Sequence, residues 1–176
     1  MLADAQLNMR QNYINGGPGV IISGLVYTVS AGIVAFVGFT PGMWTLFIGG
    51  VAIYPLSTLW SYLVRGKTPT PDKGLTQLTL LTLPILFGGI LLALYLSRSD
   101  EALLFPVMAA TIGLRYLIFQ CIYGLNAYLL LGGLLIAVSA AGFLAPVPLV
   151  AVPIAIAVIE LAFGVFLLSN RKTLVA

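Results

Sequence analysis

The sequence predicts an all-α, polytopic membrane protein, a bundle of six transmembrane helices. Three observations carry that reading. The 176 residues are 60% hydrophobic and 7% charged, with a mean hydropathy of +1.09, whereas a soluble domain carries about 25% charged residues. No charge occurs between Gln11 and Val64, or from Gly74 to Ser97. The apolar runs reach the ~20 residues that cross a ~30 Å hydrocarbon core, and they are continuous, not alternating as in barrel strands.

Residues 1–17 place Leu2, Gln6, Met9 and Tyr13 at helical spacing. They read as a short helix at the interface or as a cytoplasmic tail. Spans follow at 19–38, 43–64, 76–96, 103–124, 126–145 and 148–169, which makes 18–170 the membrane domain and 171–176 a cytoplasmic tail. Thr40-Pro41-Gly42 separates the first two spans, and the clearest loop, 65–75, holds two prolines and four charges. Ser97–Glu101, Gly124–Ala127 and Ala145-Pro146-Val147-Pro148 make the remaining turns. Connections this short force sequential spans to pack as antiparallel neighbours. The acidic opening Met-Leu-Ala-Asp, far from the first long apolar run, is not a cleavable signal peptide.

Orientation follows from the bases. Arg10, Arg65, Lys67, Lys73, Arg171 and Lys172 share one side, and Arg98 alone stands on the other. That bias puts both termini in the cytoplasm. Trp44 and Tyr95 then mark the outer interface, and Trp60, Tyr62 and Tyr123 the inner one. The net charge of +3 is spread over span ends with no basic patch, so nucleic acid is not an expected partner.

Residues 24–36, GLVYTVSAGIVAF, align without gaps to 133–145, GLLIAVSAAGFLA, with Ser30 matching Ser139. Gly88-Gly89-Ile90-Leu91-Leu92-Ala93 gives a weaker third copy, so the spans read as three pseudo-repeated helical hairpins. Three Gly-rich hairpins in a chain of this size loosely resemble the HdeD-like acid-resistance membrane proteins of bacteria. The strings Asn-Gly-Gly-Pro-Gly (15–19), Tyr-Pro-Leu-Ser-Thr-Leu (54–59) and Gly-Leu-Arg-Tyr (113–116) are more similar to a second group, small bacterial membrane proteins of unknown function. That likeness implies a bacterial inner membrane and brings no catalytic residues with it.

Two charges lie deep inside spans: Arg115 and Glu160. A charge at the bilayer centre costs at least ~2.5–3.5 kcal/mol, so it persists only where something offsets it. One base and one acid, each alone in its span, read as a pair that either fixes packing or lines a polar cavity. Tyr54 falls at a similar depth, and Thr111 and Tyr123 share the Arg115 face by helical spacing. The candidate intramembrane polar site is therefore Arg115, Glu160, Tyr54, Thr111 and Tyr123. Pro55 and Pro153 would free the carbonyls of Val51 and Leu149. Thr76, Thr79 and Thr82 read as hydroxyls bonded back to their own helix.

No histidine occurs, which removes the commonest general base and metal ligand. The lone Cys121 excludes an internal disulfide and a multi-cysteine metal site, and reads as a packing residue. No nucleophile–base pair, phosphate loop or metal spacing is present. The expectation is a non-enzymatic protein without cofactor that binds, transports or handles in stress a small solute, ion or lipid. The alternative is a structural or regulatory protein acting through helix assembly, as a homo-oligomer or with a partner, in which the charges serve packing alone.

Overall fold

Apolar runs broken by Gly, Pro and charged turns fold here into eight helices in a computed structural model that describes residues 2–66 and 70–170. They are α1 (Leu2–Tyr13), α2 (Gly17–Phe36), α3 (Phe39–Arg65), α4 (Lys73–Leu81), α5 (Leu83–Ser97), α6 (Leu104–Tyr123), α7 (Ala127–Leu144) and α8 (Ala151–Ser169). With α4 and α5 taken as one broken span, six helices among the described residues are long and apolar enough to cross a membrane. Lys67 in the longest loop, and Arg171 and Lys172 in the tail, lie outside the described residues.

The third span is the one that departs most from a single helix. Pro84 has no N–H and its ring disfavours a continuous turn before it, so α4 stops at Leu81 and α5 starts at Leu83. Thr82 stands between them, buried, with its hydroxyl donating to the Thr79 carbonyl at 2.7 Å. Pro153, by contrast, falls in the first turn of α8 and frees no carbonyl inside a helix. The expected kink at Leu149 is not made, because the helix begins after it. Pro55 does lie within α3.

The spans form an open ring. α3 packs on α2, α2 on α8, α8 on α7, α7 on α6 and α6 on α5, while α3 and α5 do not close against each other. Each expected hairpin pair is in contact, α2 with α3, α5 with α6 and α7 with α8, but α7 packs chiefly on α6 and α8 chiefly on α2. Glycines permit the tightest crossing. A Cβ on Gly113 would stand 2.9 Å from the Gly132 carbonyl oxygen, and one on Gly132 would stand 2.7 Å from that of Gly113. The matched serines act alike: Ser30 donates to Gly42 O at 2.9 Å and Ser139 to Pro106 O at 2.8 Å, each tying its helix to the first turn of a neighbour.

α1 is an ordered helix that spans the seam of the ring at one end, touching α3, α4 and α6. It reaches α2 through a left-handed turn in which Ile14, Asn15 and Gly16 have φ of 51°, 57° and 76°. Left-handed backbone is costly for a β-branched residue, and tertiary bonds hold this one. Asn15 Nδ2 donates to Leu167 O at 3.1 Å, and the Tyr128 hydroxyl donates to Asn15 O at 2.7 Å. The other face of α1 grips the loop between α3 and α4. Asn12 Oδ1 accepts from Arg65 Nη1 and from Thr70 N, both at 2.9 Å, and Asn8 Oδ1 accepts from Asp72 N at 2.8 Å.

Candidate functional site: a membrane groove and a buried carboxyl

The gap between α3 and α5 is a groove of about 390 Å³ with α2 and α6 as its floor. Its two halves differ in chemistry. Near α1 it presents Arg115, Tyr13, Tyr54, Tyr123, Ser57 and Thr79. Toward the opposite end it presents Val26, Phe47, Leu86, Phe87, Ile90 and Met108. Helix order explains this: α3 and α6 end near α1 and α4 starts there, so the polar residues of α1, α3, α4 and α6 converge at one end.

Arg115 lies about 12 Å from the end of α6, at 1.5 Å per residue. Its Nε donates to Thr82 Oγ1 at 3.3 Å, and its Cζ sits 5.7 Å from the Phe119 ring centroid. The break at Pro84 thus supplies the arginine's one acceptor among the described residues, since it is there that Thr82 turns in. Tyr13 of α1 and Tyr54 of α3 both line this end of the groove. Tyr123, the last residue of α6, stacks on Tyr128, their ring centroids 5.3 Å apart. Thr76 and Thr79 donate back to Asp72 O and Leu75 O, as their spacing suggested.

Glu160 sits behind this wall, 0% exposed. Matched depth is real, since it lies about 14 Å from the end of α8. Contact with Arg115 is not. The Tyr116 hydroxyl donates to Glu160 Oε1 at 2.7 Å, and Ser23 of α2 lies buried near the same carboxyl. Glu160 Oε2 and the Tyr27 hydroxyl, also buried, have no hydrogen-bond partner among the described residues. The direct Arg115–Glu160 ion pair suggested by the sequence is therefore absent. Tyr116, one residue and ~100° around the helix from Arg115, takes the carboxyl instead.

Of the five expected site residues, Arg115, Tyr54 and Tyr123 line one groove. Glu160 stands one side chain behind it, and Thr111 faces away, donating to Val107 O at 2.8 Å and packing where Gly89 of α5 leaves room. Sequence reasoning missed Ser23, Tyr27 and Tyr116. The signal was present, since Ser23 and Tyr27 are four apart on α2 and share a face. Cys121 is exposed and fills no core position.

An apolar ring with a polar-ended groove defines a multi-pass, all-helical, membrane-type protein. Over residues 2–170 the chain matches a family described as a family of unknown function, DUF7010, and it belongs to that family. No curated protein and no solved structure matches it.

Proposed function

We propose that this is a non-enzymatic protein of a bacterial inner membrane, both termini cytoplasmic, that binds and handles a small molecule taken sideways from the bilayer into the α3–α5 groove. One observation carries the reading: the groove opens between the two helices least buried in the bundle, and α1 crosses its end. A pocket of a few hundred Å³ with a small number of placed polar groups is the usual form of a small-molecule site. The test fills it. Gly50 lines the groove and a Cβ there meets nothing within 4 Å, so Gly50→Trp occupies the space without forcing helices apart. Mass spectrometry of the purified protein is expected to find a bound small molecule in the native chain and to lose it in Gly50→Trp. Equal retention by both would overturn the reading.

The rival reading, assembly with itself or with a partner, draws on Gly32, Gly88 and Gly133, which have open space beside them and suit close helix approach. The likeness to HdeD-like proteins supports stress-related handling through one residue, Glu160, a carboxyl that could change charge where Arg115 cannot.

A further inference from the structure

We infer that the groove takes an anionic membrane lipid from the leaflet on the α1 side, its headgroup on Arg115 under α1 and one acyl chain along the apolar half of α3 and α5. This rests on the groove reading above and names the chemistry of its occupant.

The first argument is charge. Arg115 has five N–H donors, and among the described residues it uses one, toward a neutral threonine hydroxyl. Glu160, the only acid within reach of its depth, is held on the far side of Tyr116 and Ser23. A guanidinium at membrane depth with donors unspent calls for an anion, because its charge is not offset by the protein. The planar fork suits a phosphate or carboxylate, which it grips with two parallel bonds.

The second argument is polarity along the groove. Tyr13, Tyr54, Ser57 and Thr79 line the arginine end, while Val26, Phe47, Phe87 and Ile90 line the other. That order, polar at the α1 end and apolar toward mid-bilayer, is the order of a lipid in that leaflet. A lipid from the opposite leaflet would place its chains against the hydroxyls. A free soluble anion would have no use for the apolar half, and α1 obstructs the direct route from that end: Met9 and Tyr13 form part of the groove wall there. Lateral access through the open seam fits a membrane-borne ligand.

Native mass spectrometry with phosphatidic acid and with diacylglycerol of the same acyl chains separates the terms, because the two differ only in the phosphate. The native chain is expected to retain phosphatidic acid about tenfold over diacylglycerol, the scale of one lost charge-assisted bond pair. Arg115→Met should abolish that preference, Arg115→Lys should keep part of it, and Gly50→Trp should lose both lipids. If the native chain holds both lipids alike, and Gly50→Trp still excludes them, the groove reading stands and the anion inference falls. If Gly50→Trp changes nothing, the groove itself is not the site. Should Arg115→Met fail to fold, the native-chain preference and the lysine variant decide alone.

Discussion

Glu160 and Arg115 lie at nearly the same depth, about 14 and 12 Å from the α1-side ends of their helices, in surroundings that differ in kind. Glu160, on α8, is fully buried, and the Tyr116 hydroxyl of α6 is bonded to it with Ser23 of α2 close by. Arg115 faces a groove with a single weak acceptor. The closed half of the ring is built for close packing, with glycine backbones in contact and serines tied to neighbouring carbonyls. The open half leaves α3 and α5 largely toward lipid. A charge in the first region is part of how the bundle is held. A charge in the second awaits something from outside.

The largest effect expected is in the closed half. Gly132→Val would drive a branched side chain into the Gly113 carbonyl and Leu117, and overpacking at such a crossing costs about 3 kcal/mol. Thermal unfolding in detergent should show a large drop in Tm. A variant as stable as the native chain would mean that α6 and α7 can separate, and the contrast between a tight and a loose half would fail.

Next comes the buried carboxyl. Glu160→Ala removes the acceptor of Tyr116 and opens a void, an expected loss of about 2–3 kcal/mol. Glu160→Gln keeps shape and one acceptor, and should cost about 1 kcal/mol. Tyr116→Phe should fall between them, since it strands Glu160 Oε1 in the core. If Glu160→Ala were silent in an unfolding assay, the cluster with Ser23 and Tyr27 would not be a structural element.

How far the sequence reaches is visible in these same residues. Depth could be counted from span ends, and the bond from Tyr116 to Glu160 puts Glu160 level with the residue next to Arg115. The direction each side chain faces could not, because it depends on how neighbouring helices are rotated about their axes. A shift of one residue gives Glu160 to Tyr116 and leaves Arg115 to the groove. The threonines of α4 were legible because a hydroxyl bond to the preceding turn is local. The break at Thr82 had a local cause too, Pro84, yet its use as the arginine's acceptor arises only from packing. α1 was the least legible element. Its anchors Asn8 and Asn12 reach residues 64 and 58 positions away, respectively, and no spacing rule spans that distance.

A smaller effect tests the separation of the two charges directly. Arg115→Met and Glu160→Gln, singly and together, form a double-mutant cycle in which residues without a shared partner should couple by no more than about 0.5 kcal/mol. A coupling of about 2 kcal/mol or more would restore the direct pair that the sequence suggested and would remove the distinction between the two regions.

The smallest effect expected on stability belongs to Arg115 alone. Its guanidinium is desolvated in the groove and bonded once, at 3.3 Å, so an apolar side chain of similar length forfeits little. Buried charges replaced by well-packed apolar residues are often neutral or better, and residues kept for binding commonly cost stability. In lipid-stripped protein, Arg115→Met should therefore change unfolding by less than about 0.5 kcal/mol or raise Tm slightly. Added anionic lipid should then stabilise the native chain and leave the variant where it was, since a ligand stabilises only the fold that binds it. A loss of more than about 2 kcal/mol in the stripped variant would show instead that the bond to Thr82 holds α6 against the break in the third span. Arg115 would then belong, with Glu160, to the machinery of packing.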